Sequence, residues 1–350
     1  MKDTTIQWCH STVNPVMGCD SCELWKPAPA VRLSIQNFLV GLTHLPGHKL
    51  APVIRVVAGD RETSEVYRDR ELIAQEIAEK MGLDGLAREE IVDVIRRECK
   101  CYAGLLGTFR AGQKGYADAF AAPKLFPRRM IKAANWASPT PTEIEDRPWL
   151  GGLPRLIFVS DMGDALSAGV SFEYLLAEII ENVLSPAGQR HVWLWLTKRP
   201  GRMAEFGGWL LERGVQWPEN LVAMTTVTKQ TYASRVDQLR RVQAKLRGLS
   251  VEPLFERVKL NLKDIDWVIV GGGSDILAEP FHLEWAFDLQ RQCEAAGVAF
   301  FLKQLGHRPF FRAEPVALAD RHGGDWSEWP KEWRTREFPE AFRACEMLTL

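Results

Sequence analysis

Four cysteines in two close pairs carry the chemistry most easily read from this chain. Cys19-Asp20-Ser21-Cys22 follows Asn14-Pro15-Val16-Met17-Gly18, and Cys99-Lys100-Cys101 precedes Tyr102-Ala103-Gly104. Asn-Pro and Met-Gly are turn signals, so the first pair lies on a loop, where backbone amides can point at sulfur. Such thiols suit three kinds of chemistry. One is structural zinc bound by four sulfurs, for which Cys-x-x-Cys is a good half-site and Cys-x-Cys a less usual second half. Another is a redox dithiol at Cys19 and Cys22, although that chemistry favours a helix start after a strand, and Asp20-Ser21 is an unfamiliar interior. The third is a three-cysteine [4Fe–4S] cluster with one iron left open to a substrate or cofactor. The bland alternative is buried, inert thiols, and two close pairs argue against it. Cys293, on a helical pattern, and Cys345, in the tail, read as inert, while Cys9 joins neither pair.

The setting fits reduced thiols. The cysteines number seven, an odd count, and Met1-Lys2-Asp3-Thr4-Thr5 lacks the apolar core of a signal peptide, so a cytoplasmic location is expected rather than a disulfide framework. At 46% hydrophobic and 25% charged the composition is that of a soluble globular protein, and no apolar run reaches the length of a membrane span. A net charge of -1 advertises no nucleic-acid field. The basic clusters Arg128-Arg129-Met130-Ile131-Lys132 and Arg240 to Arg247 read as solvated helix faces.

The elements that must position the thiols are of two kinds. Thr5-Ile6-Gln7-Trp8 alternates as a short strand would. Residues 26–98 then read as a helical insertion, with amphipathic patterns near 30–42, 65–81 and 87–98. The insertion is a lid, a protein-partner surface or packing. Beyond residue 153 short β-branched and aromatic runs alternate with helical stretches. Strands are expected at 155–160, 191–196, 221–227, 246–251, 267–270 and 299–302, with helices such as 172–184, 232–246 and 283–296 between them. That alternation means βαβ units and a parallel sheet, either a partial β/α barrel or an open doubly wound sheet. Polar residues follow each strand, which favours the barrel and marks its C-terminal rim. The rim residues include Ser160-Asp161, Thr197-Lys198, Glu252, Gly271-Gly272 and Lys303-Gln304. Buried charges are costly unless paired, so their convergence is not idle. The glycine run 271–273 permits close backbone approach but is no nucleotide signature by itself.

Several segments, in order, resemble one family. They are Ile6-Gln7-Trp8 through Asn14-Pro15-Val16-Met17-Gly18-Cys19, Cys101-Tyr102-Ala103, Leu156 to Met162, Leu196-Thr197-Lys198-Arg199-Pro200, Ser250-Val251-Glu252-Pro253-Leu254, Asp266 to Gly272, and Phe301-Leu302-Lys303-Gln304. Together they are similar to the phage Gp37/Gp68-type three-cysteine proteins of unassigned function, which are grouped with radical S-adenosylmethionine (SAM) enzymes. The resemblance implies an α/β fold, a partial β/α barrel formed by residues 1–25 and 99–305, interrupted by the helical insertion 26–98 and followed by an aromatic-rich extension, 306–350. It also implies a [4Fe–4S] cluster whose fourth iron takes SAM, cleaved reductively to a 5′-deoxyadenosyl radical that abstracts hydrogen from a substrate. An electron donor is then required, and the family's phage setting suggests a nucleotide or nucleic-acid base as substrate. In most members the three cysteines are compact and the last is followed by Tyr-Ala. Here Cys101 carries Tyr-Ala far downstream of Cys19 and Cys22, as if the insertion had opened the cluster loop. By the resemblance Cys19, Cys22 and Cys101 are the metal ligands, with Cys99 a rival or a fourth ligand that would close the cluster. Ser160, Asp161, Thr197, Gly271 and Gly272 would hold the cofactor, and Lys198 and Glu252 would be catalytic. Two other readings stay open. One is a non-enzymatic zinc or closed-cluster metalloprotein acting as a nucleic-acid-binding or assembly module. The other is a metal-free partner-binding protein using the tryptophan-rich stretch Trp326 to Trp333, which otherwise reads as packing against the barrel.

Overall fold

The computed structural model of the chain describes residues 4–25, 82, 90, 101–274 and 278–344. Cys99, Cys345 and, except for residues 82 and 90, the helical insertion expected over 26–98 lie outside the described residues. The chain divides into two compact units, Met17–Lys124 and Met1–Val16 with Leu125–Leu350. The first holds helix α1 (Tyr102–Phe109). The second holds helices α2 (Arg129–Ala134), α3 (Pro200–Leu211), α4 (Ser234–Arg240) and α5 (Leu283–Ala296). No helix among the described residues is long and apolar enough to cross a membrane.

The larger unit is built on seven strands: β1 (Ser11–Val13), β2 (Leu156–Val159), β3 (Val192–Thr197), β4 (Leu221–Thr226), β5 (Arg247–Val251), β6 (Trp267–Gly271) and β7 (Ala299–Gln304). All neighbours are parallel, and order in the sheet is order in the chain. A doubly wound sheet would reverse its order at a switch point. Here the order never reverses, so right-handed crossovers carry every helix to one face. The sheet curls into an open half-barrel. This decides between the two architectures the strand pattern allowed.

Side chains alternate between the faces with the period of two that strands impose. Ile157, Val159, Trp193, Trp195, Ala223, Leu249, Val251, Val268, Val270, Phe300 and Leu302 share a core with helix residues such as Met203, Phe206, Leu239, Leu283 and Leu289. The intervening Leu156, Phe158, Val192, Leu194, Val222, Met224, Trp267, Ile269 and Phe301 form the concave face. No helix of the sheet's crossovers covers that face. It is filled by Trp8, Leu150, Leu153 and Phe342, with Trp267 at the centre of edge-on contacts to Trp8, Phe301 and Phe342. Each such burial stabilises by about 1.5–3 kcal/mol.

The expected strand Thr5–Trp8 does not form. The carbonyls of Ile6 and Cys9 accept from Arg147, and that of Gln7 accepts from the Trp149 indole. Trp8 is drawn into the concave core, and pairing starts only at Ser11. The helix expected over 232–246 is also shorter, because Arg247 caps the chain at the Val242 carbonyl after α4 ends.

The far edge of the sheet is covered. Leu302 donates to the Thr335 carbonyl and Glu337 to that of Phe300, so residues 335–337 lie antiparallel along β7. Arg336 anchors them. Its guanidinium donates to the carbonyls of Leu302, Lys303 and Gly324, and stacks 3.9 Å from the Trp149 ring centre, with Trp326 and Trp329 at 4.9 and 5.1 Å. Burial pulls its pKa down to about 9.

Candidate functional site

At the C-terminal rim the concave face turns polar. Thr12 is paired with Phe158, Thr226 with Ser250, and Ser250 with Ile269, so these three hydroxyls continue the inward-facing rows. All three are buried. One residue past β5, Glu252 forms an ion pair with Lys303 of β7. The pair spans the end of β6, where Gly271 and Gly272 present no side chain. The glycines themselves are held by the neighbouring strand: Gly272 donates to the Gln304 carbonyl at 3.2 Å, and the Gln304 amide donates back to Gly272 at 2.9 Å.

Ser160 follows β2 in the left-handed region, with φ 74°. Its amide donates to Val13 at 2.9 Å, but its buried hydroxyl has no hydrogen-bond partner among the described residues. A buried unpaired hydroxyl costs about 1–3 kcal/mol, and left-handed backbone adds to that for a residue with a β-carbon. Beside it, the Asp161 carboxylate accepts from Asn14 and Thr12. Burial holds its pKa above the ordinary carboxylate range against those donors. Asn14 is a clamp between two strand ends, because its carbonyl oxygen also accepts the Met162 amide at 2.9 Å and its backbone carbonyl accepts from Arg129.

Thr197 and Lys198 are bound to a residue that the strand pattern did not single out. The Asp164 carboxylate accepts the Thr197 hydroxyl at 2.9 Å, the Leu166 amide at 2.9 Å, the Lys198 amide at 3.2 Å and the Arg199 guanidinium at 2.8 Å. Burial raises its pKa while these donors oppose the shift. The Thr197 hydroxyl also accepts the Arg199 amide. Thr197 therefore organises the turn after β3, and the group it offers a ligand is at most part of that turn. Lys198 is half-buried, one residue past the end of β3. Asn14, Asp164 and Arg199 are the rim residues that sequence reasoning missed. The Asp164-to-Thr197 contact joins residues 33 apart, and only the recurrence of charge after two strands hinted at it.

In the smaller unit, Cys19 is buried and Cys22 and Cys101 are half-buried. The Leu24 amide donates to Cys22 Sγ and the Gly104 amide to Cys101 Sγ, each at 3.4 Å. Cys101 thus stands at the start of α1 with its sulfur accepting from the first turn. Cys19 Sγ lies 3.9 Å from the Asp20 carboxylate and from the Ser21 carbonyl. The donor set fits a soft, thiolate-bound centre in type. It is not assembled, since among the described residues no three Cys, His, Asp or Glu side chains meet as a ligand group. Cys9 and Cys293 are buried in apolar surroundings that raise their thiol pKa, that of Cys293 to about 12, so both are inert.

A family model described as a protein of unknown function (DUF5131) matches residues 94–330. That span covers more than half of the chain. It contains Cys101 and every rim residue from Ser160 to Lys303, but not Cys19 or Cys22. No curated protein and no solved structure matches the chain.

Proposed function

We propose, for a chain that belongs to the DUF5131 family of proteins of unknown function, that it is a radical-SAM-like iron–sulfur enzyme of the cytoplasm with Cys19, Cys22 and Cys101 as cluster ligands. The observation that carries this reading is the architecture: a singly wound parallel half-barrel with a polar C-terminal rim, whose first strand leads within six residues to Cys19. When bound, a [4Fe–4S] cluster with SAM supplies reductive cleavage to a 5′-deoxyadenosyl radical.

The chain's own residues would do the rest. Cys22 and Cys101 each already accept a backbone amide on sulfur, a contact that a bound centre would keep. The Ser160 hydroxyl would gain its missing partner from a ligand, beside the inward hydroxyls of Thr226 and Ser250. Glu252 holds the Lys303 ammonium over the β6 glycines, so a ligand there meets a fixed donor and acceptor pair. Lys198 adds a cation at the end of β3. Such donors and acceptors suit a nucleotide or nucleic-acid base, the substrate class that the sequence resemblance suggests, and an external electron donor completes the scheme.

Anaerobic purification followed by iron and sulfide analysis, then addition of dithionite and SAM, tests the reading. Release of 5′-deoxyadenosine is the expected result. Stoichiometric zinc without iron would sink it and favour the non-enzymatic metalloprotein, because amide-to-sulfur bonds of the kind seen at Cys22 and Cys101 serve zinc equally well.

A further inference from the structure

The three thiols of the smaller unit share one anchor. Cys22 and Trp25 are joined by a two-way backbone bridge, Cys22 donating to the Trp25 carbonyl at 2.9 Å and Trp25 donating back at 3.3 Å. The Trp25 indole lies against Gly104 so closely that a β-carbon at 104 would overlap Cδ1, with Cγ and Nε1 2.7 Å away. The amide of that same Gly104 donates to Cys101 Sγ. Trp25 meets Phe120 edge-on, with ring centres 4.8 Å apart. The Phe120 carbonyl accepts the Cys19 amide at 2.8 Å. Gly18 makes that approach possible: its φ is 94°, and a β-carbon there would sit 2.7 Å from the Phe120 oxygen. One turn along α1 from Gly104, a β-carbon at Gly107 would overlap the Phe120 ring. Two aromatic rings, seated on two glycines of one helix face, therefore fix the backbone of all three cysteines.

We propose that Trp25 is the positioning residue of a thiolate metal site made by Cys19, Cys22 and Cys101, and that its fit against Gly104 sets the distance of Cys101 from the other pair. The inference rests on the reading of these thiols as metal ligands. Metal ligands whose supporting contacts are lost typically bind 10–100-fold more weakly. Metal binding also supplies the free energy that brings preplaced donors together. The three sulfurs, anchored but not yet converged, are placed to respond in that way.

The test is titration of the full-length chain, prepared without oxygen, with Co²⁺ alone. Thiolate-to-cobalt charge-transfer absorption counts sulfurs per metal, and chelator competition gives affinity. The wild-type chain is expected to bind one Co²⁺ with a three-sulfur spectrum. Gly104→Ala and Trp25→Ala should each weaken binding about 10–100-fold and lower the charge-transfer intensity per bound cobalt, as a Cys101→Ser control does. Trp25→Phe, which keeps an aromatic ring and the backbone bridge, should bind within a few-fold of wild type. Combining it with Gly104→Ala should not restore intensity, since Phe keeps the Cγ and Cδ1 positions that the methyl group meets. Thermal unfolding of each variant, still cooperative where charge-transfer intensity is lost, separates positioning from a general loss of folding. If the wild-type chain shows the three-sulfur spectrum and Gly104→Ala and Trp25→Ala leave it and the affinity unchanged, the positioning role is overturned while the metal reading stands. If the wild-type chain shows no thiolate band at all, the metal reading falls and this inference with it.

Discussion

Ser160 carries two local costs at once, a left-handed backbone and a buried hydroxyl without a partner among the described residues. Such strain persists where the surrounding structure enforces it, and it points toward function. Ser160→Gly is expected to stabilise the protein by about 1 kcal/mol, because relief of the left-handed strain and of the orphan hydroxyl outweighs the added freedom of the unfolded glycine. A higher urea midpoint at unchanged slope would show this. Asp164 is the opposite case, a fully satisfied carboxylate. Asp164→Asn removes the buried charge that Arg199 meets at 2.8 Å and replaces an acceptor of several hydrogen bonds with a group that also donates. A loss of about 2–4 kcal/mol is expected in the same measurement. Neither residue's role was readable from spacing alone. Asn14 and Asp161 lie 147 residues apart, and nothing in the periodicity of either segment says that they touch.

At the scale of elements, the regular pieces were legible and the irregular ones were not. Helix α5 runs over Leu283–Ala296, where its amphipathic pattern predicts it, and ends at Gly297 with φ 67° because glycine accepts the left-handed cap. The six later strands were visible as apolar runs bounded by polar ones. Thr5–Trp8 misled because alternation in four residues does not distinguish a strand from a segment whose carbonyls are taken by Arg147 and Trp149. The cover along β7 was invisible for a similar reason, since Thr335–Glu337 has no strand pattern and is held by Arg336. Replacing Arg336 with Lys keeps the charge but loses the planar stacking and the forked donors. The expected outcome is faster hydrogen exchange at the Leu302 amide, which donates to Thr335, with the amides of β3 and β4 unchanged. A uniform rise across the sheet would contradict a role confined to that edge.

For the molecule as a whole, acid sensitivity follows from two histidines that fold neutral. His10 accepts the Leu156 amide on Nδ1, and burial lowers its pKa to about 3. His191 is buried beside the Ala134 carbonyl and lowered to about 4. Between the ordinary histidine value and these, the unfolded chain takes up protons that the native chain refuses. Stability therefore falls as pH drops from about 6.5 toward 4, by about 1.4 kcal/mol per pH unit for each histidine. Asp161 and Asp164, raised by burial, act in the opposite sense. Comparison of the wild-type chain with His10→Gln and His191→Gln variants isolates the histidines' share: the replaced chains should show a shallower decline in thermal midpoint across that window. The order of strands in the sheet has a consequence for synthesis. Each strand from β3 to β7 emerges from the ribosome next to a neighbour already made, so the sheet can grow by addition with short loop closures. Only β1 must wait for a partner, β2, on the far side of the segment that contains all three proposed thiol ligands. Closing that long loop costs only logarithmically more than closing a short one. Sheet growth thus makes no demand on the state of the thiols, and a high yield of soluble protein is no sign of whether they hold a metal.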